Sequence, residues 1–309
     1  MSQPSRDYGL GVAAVLFSSL VWGTTGTAAT FAPEVGAAAI GAAAMGFGGL
    51  MQAGFAGRSI RRALPALARH WRMLVLGGLA VAVYPLAFYA SMRLAGVTVG
   101  TVVTIGSAPL LSALIECLFD RSRLSRRWMA GAAIGLVGML LLCLAKGGAH
   151  PGGDAAIAGI LLGLVGGLTY ALYSWTARRV MLSGLRSDVA MGATFGLGGL
   201  LLMPVLIATG APFLASWNNA AVGIYMAVVP MFLGYLSFGY GLARIPASTA
   251  TTITLTEPVV AAILAILIVG ERLTPAGWAG VVLIVSCLVV ITLPFRLPRR
   301  RSLRSSPEA

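Results

Sequence analysis

Residues 46–50 read Gly-Phe-Gly-Gly-Leu, and residues 196–200 read Gly-Leu-Gly-Gly-Leu. Outward from that pair, Tyr84, Tyr89 and Arg93 recur as Tyr235, Tyr240 and Arg244, and Pro109 recurs as Pro258. Arg123-Leu124 followed by Ala130-Gly131 recurs as Arg272-Leu273 followed by Ala279-Gly280. The offsets are 150, 151 and 149. An apolar alphabet produces single identities by chance. Identities in the same order at a near-constant offset mark an internal repeat of about 149 residues.

Composition says what kind of repeat this is. Of 309 residues, 58% are hydrophobic and 10% charged, whereas a soluble domain carries roughly 25% charged residues. So little charge cannot cover a soluble surface, and apolar runs of about 20 residues are the unit that crosses a bilayer as a helix. Ten spans are predicted: Leu10–Phe31, Gly36–Gly57, Met73–Met92, Val97–Phe119, Trp128–Ala145, Ile157–Arg178, Val189–Ala208, Ala220–Leu242, Ala247–Val269 and Ala276–Pro294. The first is too long for a signal-peptide core and has a counterpart in the second half. The expected organisation is a first five-helix repeat at 1–149, a second at 150–295, and a basic tail at 296–309.

Five spans is an odd number, so the second copy should lie inverted in the membrane. The cations test this. With the N-terminus inside, nineteen of the 22 Lys and Arg fall on the inner side and only Arg93, Lys146 and Arg272 outside. The loop after span 4 holds Arg121, Arg123, Arg126 and Arg127, while its repeat partner after span 9 holds Arg272 alone. Both termini are therefore expected in the cytoplasm under the positive-inside rule. The net charge of +13 lies in clusters between apolar runs and not on one face of a domain, which argues against nucleic acid as a partner.

Trp22-Gly23 closing the core of span 1, a proline in spans 4 and 9, and the turn Gly270-Glu271-Arg272-Leu273 before span 10 resemble the EamA-type drug/metabolite transporters. The resemblance covers about residues 9 to 294. It departs at Arg121-Ser122-Arg123-Leu124, where the family turn often reads Gly-Glu-Arg-Leu. It implies an all-α, polytopic basket of ten helices, a central cavity lined by helices 1, 3, 4, 6, 8 and 9, and export of small organic metabolites or amino acids.

Glu257 stands out on physics alone. It sits near the middle of span 9, roughly 16 Å from either end, where a charge costs about 2.5–3.5 kcal/mol on an insertion scale. Desolvation favours the neutral form of a carboxyl. Glu257 thus reads as a proton-coupling or substrate-amine site, or as a neutral acid hydrogen-bonded to a neighbouring helix. Pro109 and Pro258 each free a carbonyl four residues earlier and are expected to kink their helices. Hydroxyls crowd the same stretches, Thr104 and Ser112 in span 4 and Thr254 in span 9 among them. They either line a cavity or patch the kinks and glue helices together.

Glu116 shares one face of span 4 with Thr104, Ala108 and Ser112. It is either a gate at the cytoplasmic mouth or an acid that snorkels to the surface with Asp120 and Arg121. Trp22 aligns with Tyr170. Tyr84 and Tyr235 are the deeper members of their pairs and are expected in the cavity, with Tyr89 and Tyr240 turned toward neighbouring helices or the surface. Glycines at 46, 48, 49, 131, 135, 138, 159 and 163 read as close helix contacts.

Other chemistries lack their parts. Lys146 is the only lysine and follows Ala145, so there is no Walker A motif to use ATP. His70 and His150 lie in loops, which leaves an intramembrane hydrolase or metalloprotease without its histidine. Cys117, Cys143 and Cys287 sit in apolar runs with no disulfide or metal-ligand spacing. No cofactor or metal is expected. The expectation is a secondary transporter of the bacterial inner membrane that moves a small organic solute, outward and coupled to protons. A passive facilitator or exchanger is the alternative, and a membrane enzyme or receptor a more distant one. The bilayer and the solute are the expected partners, and a homodimer is compatible with the sequence.

Overall fold

A computed structural model describes residues 3–145, 154–269 and 272–292. Lys146, His150, Gly270-Glu271 and the 296–309 tail, all used above, lie outside the described residues. Ten helices are long and apolar enough to cross a membrane: Arg6–Thr30, Ala37–Phe55, Trp71–Ala95, Val99–Asp120, Arg126–Ala145, Asp154–Leu182, Ser187–Thr209, Trp217–Leu242, Ala247–Ile268 and Pro275–Thr292. They are called spans 1 to 10. An even number of crossings puts the start of span 1 and the end of span 10 on one side, here the terminal face; the other side is the far face.

The packing pairs off under a shift of five spans. Span 3 packs on span 6, and span 8 on span 1; span 4 packs on span 6, and span 9 on span 1. Spans 2 and 7 meet each other, as do spans 5 and 10. The glycine-rich stretches explain the 2–7 contact. A methyl group at Gly199 would lie 2.6 Å from the Gly46 carbonyl oxygen, so only glycine lets these backbones approach so closely. Large apolar side chains left exposed, such as Leu118, Leu161, Ile207 and Val282, form the surface that hydrocarbon would cover.

The two helix trios differ in one respect. Spans 3, 4 and 6 are continuous α-helices, Trp71–Ala95, Val97–Asp120 and Asp154–Leu182, even though Pro85 and Pro109 lie inside them. Spans 1, 8 and 9 are broken. Span 1 is interrupted at Thr24, and span 8 winds as a π-helix over Ala227–Leu233. Span 9 passes through a 3-10 turn at Thr254–Thr256 and a π stretch at Ala265–Val269. Pro109, expected to kink its helix, does not interrupt the α-helix, whereas Pro258 directly follows an irregular turn. The connection between spans 2 and 3, expected as a plain loop, folds into a helix, Gly57–Arg69.

Candidate functional site

The three broken spans meet at one cavity. Its lining is Trp22 and Thr25 from span 1; Gly41, Ala44 and Met45 from span 2; and Tyr84, Pro85, Phe88 and Tyr89 from span 3. Tyr170 from span 6, Met231 and Tyr235 from span 8, and Glu257 from span 9 complete it. The space is about 40 Å³, room for roughly three waters.

Local backbone explains why the acid sits there. Glu257 opens the α-helix Glu257–Leu264 directly after the 3-10 turn. Span 1 lies against it because residue 23 is glycine: a methyl there would fall 2.6 Å from Val260 Cβ and 2.9 Å from the Glu257 carbonyl oxygen. The Glu257 carboxyl has no hydrogen-bond partner among the described residues. It is half-buried and faces aromatic side chains across the cavity.

Those rings belong to a continuous cluster that extends from the cavity wall into the core. Trp22 lies 4.6 Å from Tyr235 and 5.2 Å from Phe238 between ring centroids. Tyr84 lies 5.5 Å from Tyr170 and 5.8 Å from Tyr173, and Phe195 lies 4.5 Å from Tyr235. Several of the polar tips in this cluster are paired, which offsets the cost of burying them. Trp22 Nε1 donates to the Pro230 carbonyl oxygen at 2.8 Å, inside the π-helix. The Tyr170 hydroxyl donates to Thr254 Oγ1 at 3.0 Å. The Tyr173 and Tyr235 hydroxyls share a hydrogen bond of 2.9 Å.

Hydrogen bonds and an ion pair tie the spans together on both sides of the cavity. At the terminal face Glu116 Oε1 accepts from the Ala247 backbone N–H at 2.7 Å, and Oε2 accepts from Ser248 Oγ at 2.5 Å. Nearby, Asp120 pairs with Arg179 at 3.0 Å and accepts from Trp175 Nε1 at 2.9 Å, and Arg178 donates to the Leu242 carbonyl oxygen. At the far face the ties are neutral: Thr24 Oγ1 and the Tyr225 hydroxyl at 2.7 Å, and Asn218 donating to the Phe31 carbonyl oxygen.

Of the residues singled out from sequence, Trp22, Tyr84, Tyr235 and Glu257 come together at the cavity. Thr254 does not line it but accepts the hydrogen bond of the lining residue Tyr170. Thr104 and Ser112 do not line it. They are buried, with no hydrogen-bond partner for their hydroxyls, and Thr104 packs against Gly166 of span 6. Span 4, expected as a wall, is replaced in the lining by span 2. Tyr89, expected to face away, lines the cavity. Span 3 stays α-helical through Pro85, so a separation of about 140° around the helix does not keep Tyr84 and Tyr89 from lining the same cavity. Tyr240 is exposed, with the Arg244 guanidinium 3.4 Å above its ring. Glu116 does not snorkel: it is 5% exposed and holds span 9. Phe88 and Met231 had no signal beyond being apolar. Tyr170 did, as the repeat partner of Trp22.

The model of the EamA-like transporter family matches residues 9–144 and again 157–293. The chain is 29% identical over 279 residues to "Uncharacterized transporter YwfM" of Bacillus subtilis, covering 90% of this chain and 92% of the relative. It is 24% identical over 274 residues to a Streptantibioticus cattleyicolor protein named "Probable terminal-alkyne amino-acid exporter", covering 85% and 90%. It is 23% identical over 293 residues to "Uncharacterized inner membrane transporter YicL" of Salmonella typhimurium, covering 93% and 96%.

Proposed function

Because the chain belongs to the EamA-like transporter family and is a multi-pass inner-membrane protein with ten apolar helices, we propose that it is a secondary exporter of a small amphipathic solute bearing an amine. Its two five-helix halves, 1–149 and 150–295, run inverted, and both termini and the 296–309 tail are cytoplasmic. The packing that pairs off under a five-span shift supports the inversion, and the cation count supports the orientation. Alternating access then arises from two related halves around one midplane site.

One observation carries the reading. An acid with no hydrogen-bond partner among the described residues stands in a mid-span cavity walled by Trp22, Tyr84, Tyr89, Tyr170 and Tyr235. A carboxylate supplies charge for an ammonium, and ring faces attract the same cation. Rings with polar tips also accommodate an apolar body. The amino-acid exporter among the relatives fits that chemistry.

The cavity of about 40 Å³ is too small for such a solute, and the spans are tied together on both sides of it, so this is an occluded arrangement. Glu116 is the gate toward the terminal face. Glu257 exchanges its cargo for a proton: the neutral acid releases the amine, and the ionised acid takes it. A passive exchanger shares the site but carries no proton.

The test is a panel of amines, amino acids and apolar neutral solutes, added to the purified protein while its thermal unfolding is followed. A ligand of the folded state raises its apparent stability by mass action. Stabilisation by amphipathic amines that is lost in Glu257→Gln fits the proposal. Stabilisation by neutral or anionic solutes alone removes it.

A further inference from the structure

The helix Gly57–Arg69, between spans 2 and 3, has no role in the cavity. Its sequence is Gly-Arg-Ser-Ile-Arg-Arg-Ala-Leu-Pro-Ala-Leu-Ala-Arg. Ile60, Ala63 and Leu67 join the main core, and the helix packs on span 7. At about 100° per residue, Arg58, Arg62 and Arg69 fall within about 40° of one another on the side opposite those three apolar residues. Arg61 stands between the arginine stripe and Leu64. All four arginines are exposed, and so are Leu64 at 55% and Trp71, the first residue of span 3, at 57%.

The charge on this helix is uncompensated. No acidic residue lies between Glu34 and Glu116 in the sequence. The ion pairs among the described residues are Arg179–Asp120 and Arg186–Asp188, and neither involves this helix. The repeat-related connection, between spans 7 and 8, is residues 210–216, built on a four-residue 3-10 turn, Ala-Pro-Phe-Leu, and carries no charge. The extra helix and its arginines thus serve one face of the membrane only.

We propose that Gly57–Arg69 is a rigid docking platform for the phosphodiester headgroups of anionic phospholipids in the leaflet at the terminal face. Three features favour a lipid surface. The helix is fixed to the protein by its apolar side, so the guanidiniums are held in a row. Leu64 and the Trp71 ring, exposed beside them, set the depth at the boundary between acyl chains and headgroups. A guanidinium matches two phosphate oxygens with parallel donors, and among the described residues no carboxylate pairs with these four arginines. A basic side chain near an anionic surface gains about 1 kcal/mol, or about fivefold in partition.

The test uses the full chain in vesicles of phosphatidylcholine alone and of phosphatidylcholine with one quarter phosphatidylglycerol. Hydrogen exchange is read over residues 57–69. The expected result is exchange slowed at least fivefold by phosphatidylglycerol, with the effect shrinking at high salt and span 7 unchanged. R58Q/R62Q/R69Q should abolish the lipid effect, and R58K/R62K/R69K should keep most of it. The lipid comparison on the unaltered protein needs no variant, so a misfolded triple glutamine leaves the test standing. Equal exchange in both vesicles overturns the proposal, as does a triple glutamine that keeps the lipid effect. So does protection restored in phosphatidylcholine vesicles by soluble glycerophosphate, which would mark a site for free phosphate.

Discussion

Glu116 caps the start of span 9 through Ser248: its carboxylate accepts from the Ser248 hydroxyl and from the neighbouring Ala247 backbone N–H, 131 residues away in sequence. A carboxylate at a helix N-terminus satisfies free N–H donors and meets the positive end of the helix dipole. Because span 9 also carries Glu257, this contact links the terminal-face closure to the acid in the cavity through one broken helix.

Removing that acceptor should open the terminal face. Glu116→Ala leaves a buried N–H unpaired, at a cost of about 1.5–3 kcal/mol for a bond to a charged group. Glu116→Gln keeps an acceptor for Ala247 and should cost less. In a background without Cys117, a cysteine at Ser112, one turn deeper on the same face, should react with an impermeant thiol reagent from the terminal side in Glu116→Ala and stay protected with Glu116 present. Equal protection in both would show that the contact is structural only.

Glu257→Gln separates the two coupling schemes. The isostere keeps volume and removes the charge, so expression and insertion should be retained. If Glu257 both takes the amine and exchanges it for a proton, transport driven by a pH gradient and solute exchange at equal pH should both fall at least tenfold. If the carboxylate carries only a proton, gradient-driven transport should fall while exchange at equal pH persists. Full gradient-driven transport in the variant would exclude either role.

The two cavity tyrosines should behave differently. The Tyr235 hydroxyl is bonded to that of Tyr173, so Tyr235→Phe leaves a buried hydroxyl unpaired and should lower thermal stability, by about 1–3 kcal/mol. Tyr84 has no such partner among the described residues. Tyr84→Phe should therefore leave stability nearly unchanged and weaken solute affinity by about 0.5–1.5 kcal/mol if its hydroxyl touches the solute. Melting curves and transport KM on the two variants decide this. The reverse pattern would misplace the hydroxyl contacts.

What the sequence revealed follows from the strength of each physical signal. The spans were legible because apolar runs of bilayer length leave little ambiguity, and the repeat because glycine, proline and tyrosine are rare enough to align. The spacing of four put Thr104, Ala108, Ser112 and Glu116 on one face of span 4, and that face is buried. What that face meets was not legible, because period alone cannot say whether a helix faces a cavity or another helix. The expectation for Tyr89 failed for a related reason, since a separation of about 140° on one helix does not exclude two long rings from the same cavity. The helix Gly57–Arg69 was hidden by Pro65 and by its arginines, which read as a loop until its apolar stripe is seen against span 7. The asymmetry between the broken spans 1, 8 and 9 and the continuous 3, 4 and 6 had no signature, because Pro109 matches Pro258 in the repeat and so predicts equal behaviour for spans 4 and 9.

Orientation is the premise on which gate, tail and lipid platform acquire their sides. The far face is marked by Leu214, 90% exposed in the uncharged turn before span 8, and the terminal face by Arg62 in the arginine stripe. A cysteine at Leu214 in intact cells should react with a membrane-impermeant reagent. A cysteine at Arg62 should react only after the membrane is opened, and a reporter fused after Ala309 should be active in the cytoplasm. Moving arginines across the membrane is unfavourable enough that loop charge sets orientation during insertion, so all three readouts should agree. Adding four lysines to the Ala211–Leu214 turn should then weaken the asymmetry and yield a mixed or poorly inserted population. If Arg62 is labelled from outside while Leu214 is protected, the chain is inverted, and Glu116 becomes the gate toward the periplasm instead of the cytoplasm.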